Sequence, residues 1–409
     1  MGRFEYFSSV SADMGKILRF MGMISTIPLA VTIAYAEWDM VIPMGLVPLL
    51  FIIVGSLLAQ VPRPAREPRL SVALMAVALI WFISALIGSV PFIVGLHMPL
   101  TDSIFESMSG WTDTGLTLLP DIGATPKTLL FWRSFTQWLG GLGIVAFSVA
   151  LASRSGLVQR GLYRSEARSE AFMPSVVGTG MAMWRIYIII TTLSIGLVLL
   201  SGVPFWDALN LTMVAISTGG FAITPGGISD YNNVLLELAL VVVMLVGALP
   251  FKLYYLMYYH RKVSIFGDRQ AVALLVLTLG GFVVLTLDLF ILTGTNLLTA
   301  MRQGIFMAVS GITSTGFQTT SPSLWPPVTT LFLVILVLIG GSSGSTAGGL
   351  KISRVLLGLE SLLWWFKRIF VSGKAVIPFK HEGKTVQKTT AELEVSKNML
   401  IIIMYVLTI

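Results

Sequence analysis

The sequence predicts an all-α polytopic membrane protein assembled from repeated units, and three observations carry that expectation. Hydrophobic residues make up 55% of the 409 positions and charged residues 11%, an apolar share beyond that of soluble globular domains. Apolar runs of about 20 residues, the length a helix needs to cross a hydrocarbon core, recur along the whole chain. A motif of hydroxyl side chains ending in Gly returns three times, each time behind an apolar segment too short to cross a bilayer.

Spans are expected near 17–36, 41–59, 70–95, 128–152, 185–200, 233–256, 270–292 and 328–366, the last interrupted, with a ninth beginning near 396. The first is too long, and too weakly followed by a small-residue cleavage site, for a removed signal peptide. Cysteine is absent, which excludes disulfides, thiolate metal sites and cysteine nucleophiles. His97, His260 and His381 fall in or beside expected loops, so no histidine-based metal or acid–base centre is expected in the membrane. An intramembrane enzyme would need paired carboxylates, a Ser–His pair or metal ligands in the spans. Asp288 alone reads as a helix-packing or interfacial residue.

The net charge of +7 is distributed by membrane side. With Arg3 to Arg19 inside, the inner connections carry Arg63, Arg66 and Arg69, then Arg154, Arg160, Arg164 and Arg168, then Arg261, Lys262 and Arg269, then the basic residues from Lys351 to Lys397. The outer connections carry Lys127, Arg133 and Arg302, so all but three of the 27 Lys and Arg lie on one side. The positive-inside rule places the amino terminus in the cytoplasm and accounts for the basic character without nucleic acid.

The repeated motif lies within FESMSGWTDTGLT at 105–117, LTMVAISTGGFAIT at 211–224 and VSGITSTGFQTTS at 309–321. Its glycines, Gly115, Gly220 and Gly316, recur at roughly hundred-residue intervals, a repeat period. Each unit orders a long span, a short segment of about ten residues, a tetrad and a second span. The short segments, 101–111, 205–216 and 299–309, cannot cross a bilayer at helical rise. They are expected to dip in from the acid-rich outer side and return through the tetrads Thr112-Asp113-Thr114-Gly115, Ser217-Thr218-Gly219-Gly220 and Thr313-Ser314-Thr315-Gly316. Irregular backbone at membrane depth must be buried in protein or line water. Gly lets consecutive carbonyls turn toward one axis, where oxygens replace a cation's hydration shell. One such cluster alone would be a helix-packing site; three in the same context favour a cation filter.

The chain resembles the TrkH/KtrB/HKT superfamily of potassium transporters, and within it the TrkH branch. The resemblance rests on LTDSIFESMSGWTDTGLT, QWLGGLGIVAFSVAL at 137–151, ISTGGF, TSTGF and IGGSSGSTAGGLK at 339–351, with two spans ahead of the first repeat like the extra TrkH helix pair. It implies four span, re-entrant helix, span units around a pseudo-fourfold pore, the architecture of a potassium channel in one chain. The corresponding division is 1–69 for the extension, 70–184, 185–268 and 269–394 for three repeats, and 395–409 for the start of a fourth. Three tetrads occur, so the fourth repeat is expected to be truncated, and three quarters of a filter is not expected to conduct selectively.

The resemblance further implies potassium uptake across the cytoplasmic membrane by the translocating subunit of a Trk-type system, with K+ as transported ion and no cofactor. Its implied partners are a second copy of the chain and a cytoplasmic TrkA-like nucleotide-binding ring. Gly rather than Ser at position 115 implies potassium over sodium. Asp113 departs from the hydroxyl residues of related filters; its carboxylate could draw cations to the mouth, or point behind the filter and pair with a neighbour.

The string IGGSSGSTAGGL at 339–350 interrupts a span, and its five glycines disfavour helix by roughly 1 kcal/mol each relative to Ala. The family resemblance implies a gate loop beneath the filter, made of Gly340, Gly341, Ser342, Ser343, Gly344, Ser345, Thr346, Ala347, Gly348 and Gly349. A kink for helix packing is the plainer alternative. A phosphate loop is disfavoured, because the string lacks the Gly-Lys-Ser/Thr ending and follows an apolar span. Lys351 and Arg354 are expected near the inner interface, reaching headgroups or a partner. The inner loops 153–184 and 367–394 could dock a partner or contact anionic lipid. Rival readings are an ion-coupled secondary transporter with broken helices and a sodium-permeable member of the same superfamily.

Overall fold

The structure, a computed structural model, describes residues 3–61, 70–154, 176–260, 265–370, 378–381, 384–386 and 388–408. The helical membrane fold expected from the sequence is present. Among the described residues five helical segments are long and apolar enough to cross a membrane, and a bent pair makes a sixth. By internal packing the chain forms two compact units, Met1–Gly141 with Pro204–Asp230, and Leu142–Val203 with Tyr231–Ile409. This division differs from the repeat boundaries, because the second short helix packs with the first repeat. The basic positions Arg63, Arg66, Arg69, Arg160, Arg164, Arg168, Arg261 and Lys262, and most of the loop 153–184, lie outside the described residues.

In the first unit, α1 (Arg3–Ile24) and α2 (Ile27–Ala34) make up one span broken at Ser25 and Thr26. Pro28 has no N–H to continue the α1 ladder, which explains the break. The antiparallel partner α3 (Val41–Ala59) packs on α1 through glycines. A Cβ added to Gly15 would lie 2.5 Å from the Gly55 oxygen and 2.6 Å from the Ala59 nitrogen. Small residues are thus the contact itself, the usual way helices associate without water to drive them together. The third span combines α4 (Leu70–Gly88) and α5 (Val90–Leu96), with Pro91 at the joint.

The short helices follow. The first, α6 (Leu100–Trp111), precedes α7 (Lys127–Arg154). Trp111, at the end of α6, is buried with its ring edge-on to Phe51, Trp81 and Trp132. The Trp132 indole N–H donates to the Gly88 carbonyl at 3.1 Å. An aromatic cluster therefore fixes the depth of α6 against three spans. After α8 (Val176–Leu199), the second short helix is α9 (Phe205–Ser217).

In the second unit, the single span expected over 233–256 is two helices, α10 (Val234–Ala248) and α11 (Phe251–His260), bent by 87°. Leu249 is extended ahead of Pro250, which disfavours helix at the preceding residue and offers no donor of its own. The long span α12 (Arg269–Thr293) starts from an Asp268 carboxylate cap on Gln270 and Ala271. The third short helix, α13 (Leu297–Ile312), is longer than the expected 299–309. It packs against α12 and α14 (Pro327–Ile339), with a Cβ at Gly304 overlapping the Thr286 hydroxyl. The interruption expected within 328–366 is present: α14 stops at Ile339, and α15 (Ile352–Ile369) resumes after an irregular loop. The Thr329 hydroxyl lies 3.5 Å from Asp288, in keeping with a packing role.

One small sheet, not expected from the apolar pattern, accompanies the helices: Phe379–His381 pairs antiparallel with Lys384–Val386. Phe379 is buried edge-on to Trp364, beside Ala391 of α16 (Lys388–Thr408). Asn398 of α16 donates to the Arg354 carbonyl at 3.0 Å, joining α16 to α15.

A Gly15→Leu substitution is expected to separate α1 from α3 and destabilise the protein by about 1–3 kcal/mol, the usual range for overpacking. Thermal unfolding in detergent would register this as a lowered midpoint, with Gly45→Leu, which meets no neighbour, as the unaffected control.

Candidate functional site

The three tetrads share one backbone. Their short helices start from Pro99, Pro204 and Asn296, with φ of −53°, −55° and −53° and extended ψ. At the other end, the second tetrad residue is left-handed in each case: Asp113 (φ 55°), Thr218 (59°) and Ser314 (50°). The fourth is also left-handed: Gly115 (77°), Gly220 (83°) and Gly316 (83°). The amide of the third residue donates to the carbonyl five residues back at 3.0 Å in all three, from Thr114 to Ser109, Gly219 to Val214 and Thr315 to Ser310. Positive φ at the second and fourth positions is thus the feature the three tetrads have in common, and Gly adopts it without steric cost. A β-branched Thr218 at positive φ is a strained residue of the kind that persists where the surroundings over-determine it.

Side chains repeat the likeness between the first and third tetrads. Ser109 Oγ donates to the Leu116 carbonyl at 2.6 Å, and Ser310 Oγ to the Phe317 carbonyl at 2.7 Å. The pairs Thr112–Thr114 and Thr313–Thr315 share hydroxyl hydrogen bonds of 2.8 and 2.7 Å. The first and third tetrads are thus each held by hydroxyls of their own unit.

Within the first unit, the first two tetrads are brought together against one face of α7. Gly115 lies so close to the Gly219 carbonyl oxygen that a methyl group would overlap it. Gln137 Nε2 donates to that oxygen at 2.6 Å, and Gln137 Oε1 accepts from the Phe221 amide at 3.2 Å. One turn earlier on the same face, Arg133 Nε donates to Glu106 at 2.8 Å and Arg133 Nη1 to the Ala222 carbonyl at 2.9 Å. The Glu106 carboxylate also accepts from the Thr117 hydroxyl and from the Leu118 amide at 2.8 Å. The guanidinium stacks 4.0 Å from the Phe221 ring centre. Arg133 and Glu106 therefore tie together the chain segments that leave the first two tetrads.

Arg133 was expected in an outer connection; it is a buried residue of α7, 1% exposed at its side chain. Arg302, expected likewise, belongs to α13 and pairs with Glu237 of α10 at 2.7 Å, with Asn232 at 3.0 Å. Glu106, Gln137 and Glu237 are not among the residues that the sequence pattern singles out. The signal was present in Arg133 itself, because a cation inside an expected span requires a partner. The Asp113 carboxylate sits beside Ser217, and a Cβ at Gly140 would come within 2.9 Å of it.

The third tetrad meets the irregular loop within the second unit. The Gly348 amide donates to Ser314 Oγ at 2.7 Å. The rest of the loop rests on the break between α10 and α11: Ser342 N donates to the Ala248 carbonyl at 3.1 Å, Thr346 Oγ1 to the Gly247 carbonyl at 2.9 Å, and Phe251 N to the Gly344 carbonyl at 3.0 Å. Ser343 N donates to Gln270 Oε1 at 2.8 Å. Gly340 and Gly349 pass so closely that a Cβ on either would overlap the other's backbone. The loop thus joins two interrupted helices to a tetrad, and the free backbone groups of one break satisfy those of the other.

Broken apolar helices, three tetrads of one backbone form and buried paired charges define a polytopic helical membrane protein of repeated units. The family model of a cation transport protein, TrkH, matches residues 46–409. An uncharacterised cation transporter of Methanocaldococcus jannaschii is 36% identical over 371 residues, which span 89% of this chain and 74% of that one. The Trk system potassium uptake protein TrkH of Halomonas elongata is 29% identical over 85% of this chain and 73% of its own. The crystal structure of the potassium transporter TrkH from Vibrio parahaemolyticus superposes with a TM-score of 0.85 at 26% identity, covering 98% of this chain and 84% of that one. The chain belongs to the TrkH family of cation transport proteins.

Arg133→Met leaves the Glu106 carboxylate buried without its cation and is expected to cost about 3–5 kcal/mol, the range for breaking one side of a buried pair. The double variant Glu106→Gln/Arg133→Met should lose less than the sum of the singles. Thermal unfolding of the four proteins in detergent measures this coupling.

Proposed function

We propose that the protein takes up potassium across the cytoplasmic membrane as the translocating subunit of a Trk-type system. Its amino terminus lies inside, and it works as a homodimer regulated by a cytoplasmic TrkA-like nucleotide-binding ring. The observation that carries the reading is the backbone repeated at Thr112-Asp113-Thr114-Gly115, Ser217-Thr218-Gly219-Gly220 and Thr313-Ser314-Thr315-Gly316. Each tetrad presents carbonyl oxygens at the end of a short helix whose carboxyl end carries partial negative charge, a combination that favours a dehydrated cation. The potassium uptake proteins among the relatives support the choice of ion. The separate repeats 70–184, 185–268 and 269–394 are the units that deliver the tetrads.

Under this reading, residues 340–349 are the gate. Their contact with Ser314 and their seat on the α10–α11 break support it, since the loop can move only by exchanging bonds at both places. Gly115 sets selectivity through space as well as through conformation. Any side chain there pushes the Gly219 carbonyl and strains a backbone at φ 77°.

In proteoliposomes of the chain joined to a fourth span, re-entrant helix, span repeat, rubidium and potassium uptake should exceed sodium uptake, and Gly115→Ser should shift the balance toward sodium; equal sodium and potassium flux without that substitution would remove the selectivity claim. Shortening 341–348 should raise flux in folded protein, as read by rubidium-86 uptake. Unchanged or lower flux would return the loop to a packing role.

A further inference from the structure

We propose that the carbonyl oxygens of Ser345 and Ala347 form a monovalent-cation site on the intramembrane loop, and that the Lys351 ammonium occupies it as a tethered ion when the loop is closed. The inference rests on the reading of 340–349 as a gate. Lys351 Nζ donates to the Ala347 carbonyl and lies 3.5 Å from the Ser345 carbonyl. The neighbouring loop carbonyls are used differently: Gly344 accepts from the Phe251 amide, and Ser342 from the Ser345 amide and hydroxyl.

Two independent features make this placement costly unless the carbonyls compensate. Lys351 has φ 76°, a region L side chains rarely adopt. It is also the N-cap residue of α15, where the helix dipole disfavours a cation. Arg354 Nη1, one turn on, donates to the Leu350 carbonyl at 2.9 Å and adds further positive charge nearby. The ammonium nevertheless folds back over the loop. An ammonium is a compact charge with donors for carbonyl oxygens, and carbonyl oxygens are equally the ligands of a dehydrated alkali ion. A Lys ammonium seated there excludes a transported cation by charge and holds the loop in its closed bonds. The Gly348 amide, next to Ala347, carries the Ser314 contact, so the tethered ion sits one residue from the link to the third tetrad. Opening then exchanges the ammonium for a permeating ion at the same oxygens.

The chain contains no cysteine, so Lys351→Cys introduces a unique thiol. Aminoethyl methanethiosulfonate converts it to an aminoethyl disulfide with release of methanesulfinate, which restores an ammonium; methyl methanethiosulfonate adds a neutral group. In proteoliposomes Lys351→Cys should raise rubidium-86 uptake about threefold or more by releasing the closed state. Aminoethylation should return it toward wild type, dithiothreitol should reverse that, and methylation should leave uptake raised. Equal effects of both reagents, or wild-type uptake in the variant, overturn the tethered ion. If Lys351→Cys does not fold by gel filtration, Lys351→Met supplies the uncharged side chain, and wild-type uptake in it overturns the proposal. Raised flux on shortening 341–348 with unchanged flux at position 351 retains the gate and removes the tethered ion; unchanged flux in both removes both.

Discussion

A bilayer supplies no water to unpaired N–H and C=O groups, so every departure from helix at membrane depth must find its partners inside the protein. Most of the architecture follows from that demand. The short helices end in tetrads whose third-residue amides bond back to their own last turns. The loop between α14 and α15 closes its ends with Leu350 and Lys351 amides on the Leu338 and Ile339 carbonyls at 2.9 Å. It satisfies its middle at the α10–α11 break. The irregular loop and the α10–α11 break thus complete each other within one unit.

Charge obeys the same rule with larger stakes. Moving a guanidinium or carboxylate out of water costs several kcal/mol, and the cost is recovered only with close partners on most of its hydrogen-bonding positions. Glu106 meets this condition with three donor groups, and Arg133 reaches both Glu106 and the Ala222 carbonyl. Such pairs add less to net stability than to specificity of position: they hold the chain leaving each tetrad at one height. Gln137 and Gly140 extend the same wall, one by bonding to the Gly219 oxygen and the other by having no side chain where the Trp111 carbonyl approaches.

Asp113 illustrates how tertiary surroundings select among chemically reasonable roles. Its carboxylate lies among Ser217, Gly219 and Gly140 of α7, where the first two tetrads meet that helix.

The sequence by itself determined the helical membrane class, the repeat, the short helices and the fourth-position glycines. Those features are local: length, apolar run and the need for positive φ at Gly115, Gly220 and Gly316 are written within a few residues of each other. The interruption at 340–349 was legible for the same reason, since its glycines weaken helix wherever it is placed. Only the tertiary structure decided what supports them. Gln137 and Gly219 are separated by 82 positions and Thr346 and Gly247 by 99, and no local pattern links them. The break at Leu249–Pro250 was hidden inside a continuous apolar run, because hydrophobicity measures transfer to lipid and is blind to a proline whose missing donor redirects the chain.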